Sequence, residues 1–251
     1  MSNLENINNN PKVTVITVSY NSEKVIIPTI ESILNQTFDN FEYLIIDGNS
    51  TDKTVEIFKS YDIKFKEKNI SYKWISEPDK GIYDAMNKGI LMAKGQWCNF
   101  MNTGDSFFSN DTLKKVFNDS EDYNKIALLY GHKIYENTPI KPLPIKALTY
   151  GAIMGNHQSM FFNKHILKEE LVYDLRYPIY GDYELVNRIF LKYGEVSFHK
   201  INISIANYQG GGISSKPSLQ KRKDKFLILL RQYGVVGFIR GFYYAIKQRQ
   251  K

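Results

Sequence analysis

Between Trp97 and Phe108 the chain reads WCNFMNTGDSFF. A run of apolar strand formers stops abruptly at Asn102-Thr103-Gly104-Asp105. The run predicts a strand buried on both faces, and the polar tetrad predicts a loop at its carboxyl end. In an open α/β sheet that edge is where ligands bind. Asp105 is therefore expected in open space on a glycine hinge, placed to meet a metal or a phosphate. A plain turn is the other reading, since Asn, Gly and Asp are ordinary turn residues.

The preceding residues weigh toward the first reading. Lys12–Tyr20, KVTVITVSY, is nearly continuous in β-branched residues and predicts a buried parallel strand. Val25, Ile26, Ile30, Ile33 and Leu34 then fall at helical spacing, with Ser22 as candidate N-cap and Pro28 within the first turn. A second strand, Phe41–Ile46, ends at the cluster Asp47–Asp52, which can cap a helix over Lys53–Tyr61. A third strand, Tyr72–Ser76, ends at Glu77–Gly81 and leads to a helix over Tyr83–Ala93, with Gly95 at its C′ position. The first hundred residues thus alternate strand and helix four times, with a polar loop at every strand end. That order predicts a parallel sheet of βαβ units with its functional loops on one edge.

Past Asp105 the alternation weakens. Leu113–Phe117 reads as helix and Ile126–Tyr135 as strand, and Pro139, Pro142 and Pro144 mark an extended loop. His157-Gln158 leads into a strand over Ser159–Phe162, and Tyr180–Glu184 precedes a helix carrying Leu185, Ile189 and Leu191. Glu195–Asn207 reads mostly as strand, Gln209–Ser214 as a flexible loop, and the remainder as a basic helical tail.

The 251 residues suffice for one large domain, and 43% hydrophobic with 24% charged residues is the balance of a soluble globular protein. The single Cys98 excludes an internal disulfide and, inside the predicted strand, reads as an inert buried thiol. Met1–Asn10 is polar and Asn-rich and is expected as a disordered lead-in rather than a signal peptide. No run of about 20 apolar residues predicts a bilayer span. Ten Lys and Arg against Asp224 alone lie between Lys216 and Lys251, more charge than the whole chain's net +7. The body is thus slightly acidic, and a nucleic-acid partner is not indicated.

SYNSEKVIIPTIESILNQTFDNFEYLIIDGNSTDKT, followed by SEPDKGIYDAMNKGILMAKGQWCNFMNTGD, resembles the family 2 glycosyltransferases of the GT-A fold. The similarity extends over Pro11–Ser214 and is nearest to enzymes that build bacterial surface polysaccharides such as colanic acid and O-antigen. It implies one Rossmann-like, mostly parallel α/β sheet flanked by helices. A nucleotide-sugar half over 11–110, an acceptor half over 111–215 and a helical tail over 216–251 would follow. It further implies a nucleotide-sugar donor, UDP-linked first, a divalent Mn2+ or Mg2+, inversion at the anomeric carbon, and a saccharide or lipid-linked acceptor. The expected setting is the cytoplasm, peripheral on the inner face of the cell membrane.

By the same resemblance, Thr17, Ser19, Tyr20, Asn21, Asp47, Lys80, Asp84, Asn87, Lys88, Asn102 and Gly104 are expected to hold the donor. Asp105 would hold the metal, His157 and Gln158 the acceptor, and Asp182 would be the catalytic base. The residues leave other roles open: Tyr20 as packing, Asp47 as a turn cap, the Glu77–Asp84 loop as a surface salt-bridge cluster, Lys88 as facing only water, His157 as structural, Asp182 as a helix cap. His132, His165 and His199 carry no ligand spacing.

Two features depart from the family pattern. Asp47-Gly48 stands where many members have paired Asp, and Thr103-Gly104-Asp105 where many have two acids. They support the rival reading, a degenerate, non-catalytic nucleotide-sugar-binding subunit of a membrane-associated assembly complex; retention of Asp47, Asp105 and Asp182 opposes it. A Rossmann dehydrogenase is disfavoured because no G-x-G-x-x-G follows Val13–Ser19. A nucleotidylyltransferase would need a Gly-rich, basic loop there, and Ser19–Lys24 is not one.

In the tail, Val235, Phe238, Ile239, Phe242 and Ile246 form one helical stripe beside Arg240, Lys247 and Lys251. The stripe suits either a helix on an anionic membrane or one packed on the domain.

Overall fold

The computed structural model describes residues 10–117, 122–211 and 218–248. Nearly all of the expected lead-in, Gly212–Ser214 of the glycine loop, and Lys216, Arg249 and Lys251 lie outside the described residues, as do the side chains of Ile246 and Lys247. The first half runs β1 (Val13–Ser19), α1 (Ile26–Leu34), β2 (Phe41–Asp47), α2 (Thr54–Glu67), β3 (Ser71–Ser76), α3 (Ile82–Met92) and β4 (Trp97–Phe100). The second adds β5 (Ser106–Phe107), α4 (Thr112–Val116), β6 (Leu128–Tyr135), β7 (Thr138–Ile140), β8 (Met160–Asn163) and α5 (Lys164–Leu167). It closes with α6 (Gly181–Tyr193), β9 (Phe198–Asn207) and α7 (Leu219–Gln248).

One sheet has the order β3-β2-β1-β4-β8-β6-β9-β5, with β7 on β6. The first four strands are parallel, as expected. The later ones are mixed: β8 is antiparallel to β4 and β6, and β5 to β9, while β6 and β9 are parallel. Strand side chains alternate between faces. Val13, Val15, Tyr43 and Ile45 enter one core with α1 and α2, and Ile16, Val18, Leu44 and Ile46 enter the other with α3. Burying each such side chain contributes about 1.5–3 kcal/mol, so Ile16→Ala would cost about 2–5 kcal/mol.

The chain steps outward from β1 through β2 to β3, then returns past β1 to β4. Right-handed crossovers in both directions require α3 on the face opposite α1 and α2, and the two cores have that composition. Strand order therefore reverses between β1 and β4, and the carboxyl edge at that switch point is the expected ligand crevice. The loops after Ser19 and after Phe100 both open there.

Several local expectations are corrected. Ser22 offers its backbone carbonyl, not its side chain, to Val25 and Ile26, and its hydroxyl donates to Tyr20 O. Gly95 is no helix cap: its N–H donates to Thr14 Oγ1, and a Cβ there would meet the Thr14 backbone at 2.5 Å. The Pro139–Pro144 loop contains β7 and leads into a 3-10 turn, Ile145–Tyr150. The helix foreseen after Glu184 begins already at Gly181, which puts Asp182 in its first turn. Cys98 is fully buried, and burial pushes its thiol up to about 12, in keeping with an inert group.

The tail is not an appendage. Its first part buries Ile228 and Leu229 in the α3-side core, and Asp224 accepts from Ile179 N. At Gly234 (φ 66°, ψ −160°) the helix breaks, and Phe238 and Phe242 return onto Phe226 at 5.2 and 6.3 Å between ring centroids. Among the described residues, no helix is long and apolar enough to cross a membrane.

Candidate active site

Gly104 sets the geometry of the loop after β4. Its φ of +93° is left-handed, its N–H donates to Thr29 Oγ1, and a Cβ would fall 2.4 Å from Gln209 Oε1. This conformation turns Asp105 inward, which corrects the expectation of an open carboxylate: the residue is 5% exposed. One carboxylate oxygen accepts from Gln209 N at 2.9 Å and the other from Gln158 Nε2. Burial raises the Asp105 pKa above the usual carboxylate value, against those two bonds and the charges of His157 and Lys133.

Asp182 reaches the same place from α6. Its Oδ1 accepts from Tyr183 N at 2.7 Å and from the Tyr83 hydroxyl at 3.5 Å. Its Oδ2 lies 3.8 Å from His157 Nδ1 and has no hydrogen-bond donor among the described residues. His157 in turn holds Asn102, Nε2 to Nδ2 at 2.7 Å. Asn102, Asp105, His157, Gln158, Asp182 and Tyr208 line one cavity of about 260 Å³ at the switch point. Three buried polar atoms of that lining (Asn102 Oδ1, Asn156 Oδ1 and His157 Nδ1) lack hydrogen-bond partners among the described residues. A buried, unpaired polar atom costs about 1–3 kcal/mol, so this wall is built for a polar ligand. Glu184, the nearby competitor to Asp182, faces elsewhere: it is buried against Arg188 at 3.0 Å and against Gln232.

Several residues expected at the ligand bond to the protein itself. Thr17 is fully buried, donating to Met101 O and accepting from Tyr43. Asp47 is also fully buried, its oxygens taken by Ser50 and Ser76, which is the turn-cap reading. Asn21 ties its loop to Thr51 and Ser50. Asn87 clamps both the N–H and the carbonyl of Tyr173. Lys88 is ion-paired to Glu77 at 2.7 Å and donates to Pro78 O. Gln158 is 3% exposed and spans Asp105 and Asn156.

Ser19, Tyr20, Lys80 and Asp84 stay on the open edge. Ser19 Oγ is buried without a partner among the described residues, Tyr20 is 64% exposed, and Asp84 accepts from the Lys80 N–H at the start of α3. The sequence reading missed Asp79. A Cβ at Gly48 would lie 2.6 Å from Asp79 Oδ2 and 3.4 Å from the Tyr20 ring, so Asp79 fills the space of the acid absent at position 48. Only the glycine, read as a loss, could have pointed to it.

Among the described residues no three His, Cys, Asp or Glu side chains gather as metal ligands. A carboxylate has about four lone-pair sites, and Asp105 uses two. A divalent ion at Asp105 would therefore need further oxygens from a ligand or from water.

The sequence profile of glycosyl transferase family 2 matches residues 14–177. A PGL/p-HBAD biosynthesis glycosyltransferase of Mycobacterium bovis is 28% identical over 228 residues, covering 90% of this chain and 87% of that protein. S. aureus TarS superposes with a TM-score of 0.68 at 16% identity, over 92% of this chain but only 43% of that longer one. Its residues 1–349, solved with UDP-GlcNAc, give 0.68 at 17% identity, over 93% of this chain and 73% of that one. The mannosyltransferase PcManGT from Pyrobaculum calidifontis, solved with GDP-Man and Mn2+, gives 0.60 at 15% identity, over 95% of this chain and 65% of that one. The profile spans well over half of the chain, and the sheet, its switch point and its mixed second half agree with it: the protein belongs to glycosyl transferase family 2 and has the GT-A fold.

Proposed function

We propose that the chain is an inverting transferase, moving a sugar from a UDP-sugar to a saccharide or lipid-linked saccharide in surface-polysaccharide synthesis. The observation that carries this reading is the convergence of Asp105 and Asp182, from opposite halves of the chain, on one cavity at the switch point. The nucleotide would lie over the β1 and β2 ends, with Tyr20 against the base and Asp79 accepting its imide N–H. Ser19, Lys80, Asp84, Asn102 and the Gly104 backbone would border ribose and diphosphate. TarS with UDP-GlcNAc supports the donor class.

A sugar hydroxyl is a poor nucleophile, and a positioned carboxylate can take its proton as the new bond forms. Asp182 Oδ2 is that acceptor: its other oxygen is fixed by Tyr183 N and Tyr83. The acceptor oxygen attacks the anomeric carbon, the bond to the diphosphate oxygen breaks, and the proton passes to Asp182. One in-line displacement inverts the configuration. His157 sits where it can steer the incoming hydroxyl. A divalent ion, Mn2+ or Mg2+, held between Asp105 and the diphosphate would neutralise charge on the leaving group.

Beyond Gly234, exposed Val235, Val236, Ile239 and Phe242 beside Arg240 suit a peripheral contact with an anionic membrane. Nucleotide release from a panel of UDP-, GDP- and dTDP-sugars with a lipid-linked acceptor tests the whole reading. Donor binding without release from any of them would favour a non-catalytic binding subunit.

A further inference from the structure

We propose that the acceptor is a phosphate- or diphosphate-bearing saccharide, seated by its phosphate in a second cavity on the far side of Asp182; this rests on the glycosyl-transfer reading above. That cavity, about 600 Å³, shares Asn156, Ile179, Asp182 and Tyr208 with the donor-side one, so Asp182 stands between the two. The size is ordinary for a small-molecule site.

Four lysines converge on it: Lys133 from β6, Lys141 just after β7, and Lys221 and Lys225 one turn apart on α7. Among the described residues, Asp182 is the one carboxylate of its lining. Lys133, Lys141 and Lys225 make no ion pair among the described residues, and Lys133 and Lys225 are only partly exposed. Burial holds both ammonium groups below the usual lysine value, with Lys221 adding to the effect at Lys225.

Unpaired, half-buried cations are costly. Tyrosine rings compensate only in part. Lys133 lies 4.7 Å from the Tyr208 centroid, Lys225 5.5 Å from Tyr244 and Lys221 5.9 Å from Tyr180, each contact being worth about 0.5–2 kcal/mol. The charge count selects the ligand. A lone carboxylate can engage one or two ammonium groups, whereas the several oxygens of a phosphate or diphosphate match Lys133, Lys141 and Lys225 together. The tyrosine faces remain for the sugar. Neutral saccharides give no reason for such a lining.

The test is calorimetric titration of the intact chain with inorganic pyrophosphate and with farnesyl diphosphate in detergent, each with and without UDP. The variant K133M/K225M keeps the side-chain stems and removes two charges; its melting temperature checks the fold. Pyrophosphate should bind the UDP-loaded chain, and the variant should lose about tenfold or more of that affinity while binding UDP within twofold. Affinity on the unaltered chain should fall as sodium chloride rises. Tighter binding of farnesyl diphosphate than of pyrophosphate assigns the phosphate to a lipid-linked acceptor, and equal binding to a soluble phosphorylated one. Anion binding that the variant retains, or that ignores salt, overturns the proposal. So does a variant that loses UDP instead, because the lysines would then serve the donor. These readouts need no turnover, so failure of the transferase reading would appear separately, as absent nucleotide release.

Discussion

Replacing Gly48 with alanine would put a Cβ 2.6 Å from Asp79 Oδ2, and the carboxylate must swing away. That motion also strains the bond its other oxygen takes from Gly81 N at 2.8 Å. Asp79 is the mobile end of a half-exposed side chain, so the fold should lose less than about 1 kcal/mol. The base contact is another matter. A hydrogen bond to a charged acceptor is worth about 1.5–3 kcal/mol, or about 10- to 150-fold in affinity. Gly48→Ala and Asp79→Ala should each weaken UDP binding by a factor in that range. The double variant should do no worse than either, since both changes remove one contact. Calorimetric titration with UDP, with melting temperatures measured in parallel, reads both quantities. Losses that add, or Asp79→Ala binding UDP within twofold of the unaltered chain, would refute the role given to Asp79.

Three further outcomes are expected. Burial raises the Asp105 pKa above 3.8, so its stabilising protonation is complete below that value and is lost as pH rises through the raised one. Asp105→Asn should flatten melting temperature against pH across that window and weaken Mn2+-dependent UDP binding; an unchanged profile contradicts the first, and unchanged affinity removes Asp105 from the metal. Gly104→Ala, at φ +93°, should cost on the order of 1–3 kcal/mol, lowering the melting temperature by about 2–4 °C per kcal/mol; no shift would mean the loop relaxes freely. As far as Tyr244, the side chains that removal of Val235–Lys251 would strip are mostly exposed, so a folded body that no longer binds anionic liposomes is expected, and an unfolded one would make the stripe core.

The sheet was legible because its signals are local. Continuous β-branched runs such as Val13–Ser19 need no tertiary information, and the loops between them named the carboxyl edge. The second half was harder to read: β8 has only four residues, and its antiparallel pairing with β6 depends on contacts far apart in sequence. Motif positions were found more surely than side-chain directions. Asp47, Thr17 and Asn87 sit where a ligand would be near, yet each bonds to the scaffold, through Ser76, Met101 and Tyr173, none of them adjacent in the chain. Asp79 and the four lysines were invisible for the opposite reason. Their significance lies in what they face across space, and no spacing records it.

The most direct test of Asp182 as the base is its replacement by Asn. The Asn side-chain carbonyl can still accept from Tyr183 N, as Asp182 Oδ1 does, so fold and donor binding should persist. Single-turnover transfer from the preferred nucleotide-sugar should then fall by about 10²-fold or more, with UDP affinity within twofold of the unaltered chain. Turnover within a few-fold of the unaltered chain would mean that Asp182 only caps α6 and that the proton leaves by another route.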